Sequence, residues 1–578
     1  MKKSIIVSIA AAALFLTGCN DFLDKDPRDT FQNNLSFWNT ASTVQSYCNK
    51  FYDNYAGYSQ NGGFGWFYFK NISDDQASLV NGGFLDWEFT TVPNTSSYWN
   101  NGFTEVRRAN YVIQNVASST LTAAEKTKYT AIARLNRAWS YYQLVREYGD
   151  VEWINYPITD PEKDENVRGK RTDRDVVMDS VAQDLDFAIS NLPADVADKT
   201  QWSKEMAEAM KSDICLFEGT FCKYRNAADN GKAPDAARAE RYLKASQAAS
   251  EFLIKSGKYK LSPNYGQIYD SANLMSDNNA KDEIIFYRNY EKDKVMHGLI
   301  DYTCSSTQMS GITKDAFDAF LFLDGKPLAT TTLDTNDEAV ANKDGNYSIE
   351  HILKNKDKRL SVLIDSIVCF KGHGWRRVKE DGSASKQNMT SSTGYTIRKF
   401  DNTTLEDYYR NNTNTGYTDA PLYWYAVVLL NEAEAKAELG TISQTDLDNT
   451  VNQLEKRAGL PGLTLNPEAD PANNMGVSNL LWEIRRCRRC ELMLDNWYRY
   501  WDLIRWHQLD KADTEKYPNT NRGANLSYVK DVESTLDANK YIVPNSKKRI
   551  YKNKYYLYPV PSSELDLNKN IDQNPLWK

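Results

Sequence analysis

One long amphipathic helix, between Thr122 and Val151, constrains the fold more than any other part of the sequence. Thr122 and Glu125 have the spacing of a capping box, in which each side chain binds a backbone N–H group of the other residue. Gly149 provides a C-terminal cap. Such a helix must bury its apolar stripe against other helices, because alone it does not offset the entropy lost on ordering. The stripe has helical spacing throughout and consists of Ile132, Leu135, Trp139, Tyr142 and Val145.

Similar periodicity recurs along the chain and predicts a mostly α fold, a tetratricopeptide-like helical array. Between residues 259 and 418 this periodicity is lost, and strand-like stretches at 283–287 and 395–400 alternate with Gly, Asn, Ser and Asp. We interpret that part as a large loop-rich insertion containing short strands. Further helices are predicted at 37–58, 98–116, 174–192, 204–224, 236–256, 421–439, 447–458 and 478–507.

The N-terminus predicts export and lipidation. Residues 1–18 combine two lysines, a short apolar run and small residues, which is typical of a signal peptide. The sequence Leu-Thr-Gly-Cys ending at Cys19 suits a lipoprotein signal peptidase, although an ordinary signal peptide with a chance cysteine is an alternative. Acylation of Cys19 would anchor the protein to a membrane. Residues 19–30 then form an acidic leash before a single domain at 31–578.

We divide that domain by the same patterns. The helical core is expected at about 31–258 and 419–509, the insertion at 259–418, and C-terminal loops and a tail at 510–578. The 578-residue chain has 25% charged residues and a net charge of -7, with no basic run that would indicate nucleic-acid binding. Cys487 and Cys490 lie on an apolar helical stripe without a second ligand pair, so we interpret them as core cysteines rather than a zinc site.

The sequence gives little indication of catalysis, and we predict no enzyme activity, no cofactor and no metal. The four histidines are scattered, and the common hydrolase, phosphate-binding and dinucleotide-binding motifs are absent. The stretch from Asp334 to Glu338 lacks the glycine of a calcium loop. A glycoside hydrolase remains an alternative, because two carboxylates a few ångströms apart can come from distant positions. Asp74 and Asp75 are the first pair to test.

Several motifs resemble the SusD/RagB-like family, and together they cover nearly the whole chain. The C-terminal tail from Tyr558 to Pro575, with Pro-Val-Pro and a final Gln-Asn-Pro, is the most specific. The chain departs from the family pattern at Asp495 and Asn496, and Arg499 comes one residue late. The other motifs are the acidic leader after Cys19, the segment 133–151, Asn-Glu-Ala-Glu-Ala at 431–435, and 488–506.

The resemblance implies a cell-surface lipoprotein of the outer membrane that captures oligosaccharides. It also implies delivery to a SusC-like TonB-dependent transporter as partner, with helices carrying the channel contact and variable loops carrying the glycan site. A tetratricopeptide-like adaptor that binds peptides is a further alternative.

The glycan-site residues are inferred from chemistry, because sugars present C–H faces and hydroxyls to aromatic rings and polar groups. Two copies of Asn-Gly-Gly-Phe, at 61–64 and 81–84, predict loop tips that hold nearby rings outward. Trp99 opens a helix, so packing into the core is an equal alternative for that ring. The predicted glycan-binding residues are Trp66, Tyr68, Asp75, Trp87, Tyr98, Trp99, Tyr302 and Trp375.

Overall fold

The computed structural model describes residues 35–59, 65–67, 73–78, 91–160, 164–304, 310–386 and 388–578. The predicted signal peptide, Cys19 and the acidic leash therefore lie outside the described residues. In the part that is described, no helix is both long and apolar enough to cross a membrane.

Helices dominate the fold, as the sequence predicts. Their bounds are α1 Leu35–Trp38, α2 Ala41–Cys48, α3 Ser97–Ser118, α4 Ala123–Tyr148, α5 Arg174–Asn191, α6 Lys204–Tyr224, α7 Ala227–Asn230, α8 Ala236–Lys255, α9 Gln267–Asp270, α10 Leu299–Cys304, α11 Lys314–Ala319, α12 Glu350–Leu353, α13 Lys358–Leu363, α14 Asp407–Asn411, α15 Tyr425–Leu439, α16 Gln444–Asn449, α17 Val451–Arg457, α18 Asn479–Glu491, α19 Tyr498–Arg505 and α20 Ser562–Leu567.

The central helix α4 has the predicted caps. The Thr122 hydroxyl accepts a hydrogen bond from the Glu125 N–H at 3.3 Å, and the Glu125 carboxylate accepts one from the Thr122 N–H at 2.9 Å. Gly149 adopts a φ of +73° beyond the last turn. The long helices pack in a series, α3 on α4, α4 on α5, α5 on α6, α6 on α8, and α8 on α15. This arrangement confirms the predicted helical array.

Four predicted helices differ from the structure. The span 37–58 consists of α1, α2 and a 3₁₀ turn at Asn49–Asn54, and the span 447–458 is divided between α16 and α17 at Thr450. The span 478–507 is two helices, because Leu494, Asn496 and Trp497 have positive φ values between α18 and α19. A non-glycine residue with positive φ cannot continue a right-handed helix. Residues 421–424 belong to a strand rather than to the start of α15, because they pair with a distant strand.

The strands are short and join distant parts of the chain. Among the described residues, one pair places Gln76 opposite Ile312, a second places Ile284 opposite Trp424, and the other four strands form a sheet in which they follow one another in chain order. The bounds are β1 Gln76–Ser78, β2 Ile284–Arg288, β3 Ser310–Ile312, β4 Val340–Ala341, β5 Tyr347–Ser348, β6 Ile364–Val368, β7 Tyr395–Ile397 and β8 Ala420–Trp424.

A large core connects the helices with the insertion. Buried apolar side chains from Trp38 to Ile571 form one contiguous cluster, which includes Phe317 and Tyr395 of the insertion. Cys487 and Cys490 are buried in it as free thiols, in agreement with their interpretation as core residues. The insertion is thereby packed on the helical array.

Candidate functional site

Of the eight predicted site residues, two lie outside the described residues, two are buried and four are partly or largely exposed. Tyr68 and Trp87 lie outside the described residues. Trp66 is half-buried, and its ring lies 5.6 Å from that of Trp139 on α4 and 6.4 Å from that of Tyr55. One face of Trp66 therefore covers the helical core, and its contact with glycan stays a prediction.

The expected exposure of Asp75 is wrong. Its side chain is buried, and its carboxylate accepts a hydrogen bond from Arg489 Nε at 2.7 Å. Burial, partly offset by Arg489, raises the pKa of Asp75 above its ordinary value. Although burial acts in the same direction on Asp74, the guanidiniums of Arg489 and Arg499 hold its pKa well below the usual range. These ion pairs connect the segment 73–78 to α18 and α19.

For Trp99, the structure agrees with the alternative in which the ring packs into the core rather than facing a ligand. Its ring is 4% exposed and packs edge to face on Tyr148, with 5.0 Å between ring centroids. The preceding Tyr98 is 48% exposed at the first turn of α3. Tyr302 on α10 and Trp375, which bridges to Met389, are half-buried. The partly exposed aromatic residues among the predicted glycan-binding residues thus lie on separate structural elements.

A groove with a volume of about 630 Å³ opens between α2, α4, the 192–202 loop and β2. This size is in the range of small-molecule binding sites. None of the predicted site residues lines it. The lining side chains are aromatic, amide, cationic, hydroxyl-bearing and aliphatic: Tyr52, Tyr55, Trp202, Phe286, Tyr287, Gln45, Asn49, Gln201, Asn289, Lys128, Arg288, Thr200, Ile132, Leu192, Pro193, Val295 and Leu422.

Aromatic rings form one wall of the groove. Tyr52, in the 3₁₀ turn Asn49–Asn54, stacks on Trp202 with 4.4 Å between centroids and 12° between planes. Trp202 in turn stacks on Phe286 of β2 at 5.6 Å. Trp202 is almost fully buried, whereas Tyr52 is half-buried. Core packing therefore fixes the ring pair and leaves part of Tyr52 accessible from the groove.

The pKa of Tyr52 favours a neutral hydroxyl. Burial, with the carboxylate of Asp198 as the next contribution, raises the pKa well above its ordinary value. The pKa of Tyr287 is raised by the same main cause. Both phenols therefore carry their proton at neutral pH and can donate to a ligand oxygen.

Amide and cationic side chains border the rings. Gln45 donates to Asn49 Oδ1 at 2.9 Å and accepts from Lys128 Nζ at 3.2 Å. Asn49, Lys128 and Asn289 are exposed. An amide offers two N–H donors and two acceptor lone pairs, so these groups keep capacity for ligand hydroxyls. The aromatic rings can contact the C–H face of a sugar, and the neighbouring amides can bind its hydroxyl groups.

Sequence reasoning missed this groove, although a partial signal was present. Gln45, Asn49 and Tyr52 recur at steps of four and three, which places polar and aromatic side chains on one face of the first helical region. Their partner Trp202 is 150 residues away from Tyr52 in the chain. No local pattern indicates that pairing.

Comparison with protein families decides the identity. A model described as the SusD family matches residues 277–577, which is more than half of the chain. The chain belongs to the SusD family. A second model, described as starch-binding associating with outer membrane, matches residues 21–216. The two matches cover both the N-terminal helices and the C-terminal half.

Individual relatives of this SusD-family chain are distant. A SusD-like protein P2 from Formosa agariphila is 23% identical over 493 residues, covering 83% of this chain and 80% of that protein. A SusD-like protein from Bacteroides ovatus is 27% identical over 290 residues, covering 47% and 48% of the two chains.

Solved structures show the same fold. A SusD-like carbohydrate binding protein from Bacteroides fragilis has a TM-score of 0.70 at 19% identity, covering 93% of this chain and 100% of that one. A laminarin binding SusD-like protein has a TM-score of 0.55 at 19% identity, covering 94% and 100%. The fold is therefore that of SusD-like proteins.

Proposed function

We propose that this protein binds oligosaccharides at the cell surface and is not an enzyme. The observation that carries the proposal is the groove, in which the stacked pair of Tyr52 and Trp202 lies beside the amides of Asn49, Gln45 and Asn289. Membership in the SusD family agrees with this chemistry, as do two structural neighbours, one described as carbohydrate binding and one as laminarin binding.

The groove is the proposed primary binding site. One pyranose ring would stack on the accessible part of Tyr52, because aromatic faces and sugar C–H groups are both apolar. Its hydroxyls would bind Asn49 and Asn289. The loop aromatics Trp66, Tyr98, Tyr302 and Trp375, with Tyr68 and Trp87, form the proposed extension of the surface for longer glycans.

The cellular setting is part of the proposal. Acylated Cys19 would hold the protein on the outer membrane, facing the cell exterior, and a SusC-like TonB-dependent transporter would receive the glycan. A tethered capture protein delivers cargo efficiently when it rests on its channel, because the leash makes rebinding intramolecular. The rigid array of α3 to α8 offers an extended face for that contact.

The buried ion pairs of Asp74 and Asp75 favour binding over hydrolysis. A glycosidase needs one carboxyl group as an acid and one as a base or nucleophile, both in contact with the substrate. Here the Asp74 carboxylate is engaged by Arg499 Nε and Nη2 at 2.7 and 2.6 Å, and Asp75 by Arg489. We therefore assign both carboxylates a structural role.

Affinity electrophoresis tests the proposal. Native gels containing laminarin or other soluble polysaccharides should retard the protein, and the length of each glycan should stay unchanged after incubation. Retardation should weaken in Tyr52→Ala. New reducing ends that disappear in Asp75→Asn would instead support a hydrolase, and mobility unchanged with every glycan would contradict glycan binding.

A further inference from the structure

A second cavity, separate from the groove, is lined mostly by residues from the C-terminal part of the chain. It has a volume of about 190 Å³ and is bounded by α11, the loop 470–475, α18, α19 and the segment 511–517. A cavity of this volume can hold several waters. The cavity is therefore large enough for one sugar ring.

Lys511 is a buried cation at this cavity. It is 7% exposed, and its ammonium donates to the Asn474 carbonyl at 3.0 Å and to the Tyr517 hydroxyl at 2.9 Å. No described carboxylate lies within ion-pair distance of it. A buried charge is costly unless it is paired, and an ammonium has a third N–H to donate. The structure thus leaves a positive charge available to an anion.

Two arginines at the same cavity also have unused donors. Arg489 uses Nε for Asp75 and Nη2 for Asp315, whereas Arg499 uses Nε and Nη2 for Asp74. Their side chains are 10% and 9% exposed. In both, the Nη1 group donates to no acceptor among the described residues. These guanidinium groups are held in place by their ion pairs and can bind a carboxylate.

The remaining lining determines which anion fits. Four carboxylates line the cavity. Those of Asp74 and Asp470 are occupied by Arg499 and Arg486, whereas those of Asp315 and Asp318 are partly exposed and can accept hydroxyl groups. Trp482 and Met475 give an apolar wall, and Trp482 Nε1 is fixed by a 3.1 Å hydrogen bond to Asp470. A ligand with one carboxylate, several hydroxyls and an apolar ring face satisfies all three kinds of group.

We propose that this cavity binds an acidic sugar, a hexuronate ring with its carboxylate at Lys511, Arg489 and Arg499. Its hydroxyls bind Asp315 and Asp318, and its C–H face lies on Trp482. The site extends the proposed glycan capture to acidic residues of a polysaccharide. It does not depend on the groove, because the two cavities share no lining residue.

Calorimetric titration of the full-length protein with sodium glucuronate tests the site. We expect saturable binding, with glucose and the uncharged methyl ester of glucuronate at least about tenfold weaker, since both lack the charge. Lys511→Met should also weaken glucuronate binding by about tenfold. The matched control is Lys548→Met, because Lys548 is exposed, pairs with Glu515 and lies off the cavity; its affinity should equal that of the wild type.

The outcomes separate this site from the groove. Glucuronate and its methyl ester binding equally well, or Lys511→Met binding like Lys548→Met, would overturn the acidic-sugar site. Absence of saturable glucuronate binding to the wild type would overturn it as well. The ester comparison uses the wild type and so remains decisive if Lys511→Met does not fold. Retardation by neutral glycans through Tyr52 would be unaffected by any of these results.

Discussion

Arg505 of α19 and Glu434 of α15 form a bidentate ion pair in the protein interior. The guanidinium Nη1 and Nη2 donate to the two carboxylate oxygens at 2.7 and 2.6 Å, and Trp506 Nε1 donates to the same carboxylate at 2.7 Å. Both charged side chains are buried. The pair therefore attaches α19 to the helical array although the chain leaves helical geometry between α18 and α19.

Removing one partner of this pair should destabilise the fold strongly. Arg505→Met removes the bidentate partner of Glu434 and also one partner of the buried Asp502, and such changes cost about 3 to 5 kcal/mol. The control is Lys244→Met, which breaks an exposed i,i+4 pair with Glu240 and should cost far less, because solvent screens exposed ion pairs. Urea unfolding followed by circular dichroism measures both, and equal losses would contradict a role of this pair in holding α19.

The same pair predicts a pH dependence. Burial alone would raise the pKa of Glu434, but Arg505 and neighbouring guanidiniums hold it below its ordinary value of 4.5. The folded state therefore binds the proton more weakly than the unfolded state, and the contribution is complete above pH 4.5 and decreases as the pH falls below it. The stability difference between wild type and Glu434→Gln should shrink in acid. A difference that grows as the pH falls would contradict this sign.

The sequence predicted the helices well wherever period and caps coincide. The helix predicted at 204–224 is α6, and that predicted at 174–192 ends one residue earlier in the structure. The apolar stripe across 478–507 continues through Leu494 and Trp497, so periodicity alone could not reveal their positive φ values. Residues 421–424 form a strand because β2, more than a hundred residues away, supplies the hydrogen bonds.

The candidate site was less predictable because it depends on contacts between residues that are far apart in the sequence. Asp75 lies in a polar stretch that suggests exposure, but Arg489, 414 residues later, buries and pairs it. The groove requires Tyr52, Trp202 and Tyr287 from three distant segments. A local sequence pattern indicates which side chains lie on the same face of one helix or strand. A binding site also depends on which of these elements pack together in the fold.

Lipid anchoring should depend on Cys19. Cys19→Ala removes the proposed acylation site, so the protein should move from the outer-membrane fraction to the soluble fraction, as the described residues contain no helix that could replace the anchor. Fractionation after a salt wash measures this. A Cys48→Ala variant is the control, because Cys48 is a buried free thiol and should leave the distribution unchanged. Membrane retention of Cys19→Ala would refute the anchor.

A transporter complex should survive mild detergent. We expect affinity purification of the tagged protein to recover a TonB-dependent β-barrel protein, with a buried interface of at least about 1,600 Å², typical of stable complexes. The unanchored Cys19→Ala protein, added to detergent extracts of the same cells, should recover the same barrel if the contact is through the folded domain. Recovery of the lipoprotein alone, with glycan uptake intact in a strain that lacks it, would argue against delivery.

The most direct measurement is a calorimetric titration of the wild type and two tyrosine variants with the glycan that retards the protein in gels. Tyr52→Ala removes the accessible ring of the groove, whereas Tyr528→Ala removes a ring that is 62% exposed and lies off the groove. Both variants should unfold at nearly the wild-type temperature if the comparison is valid. We predict that Tyr52→Ala weakens binding at least about tenfold and that Tyr528→Ala leaves it unchanged. Wild-type affinity in Tyr52→Ala would contradict glycan binding in the groove.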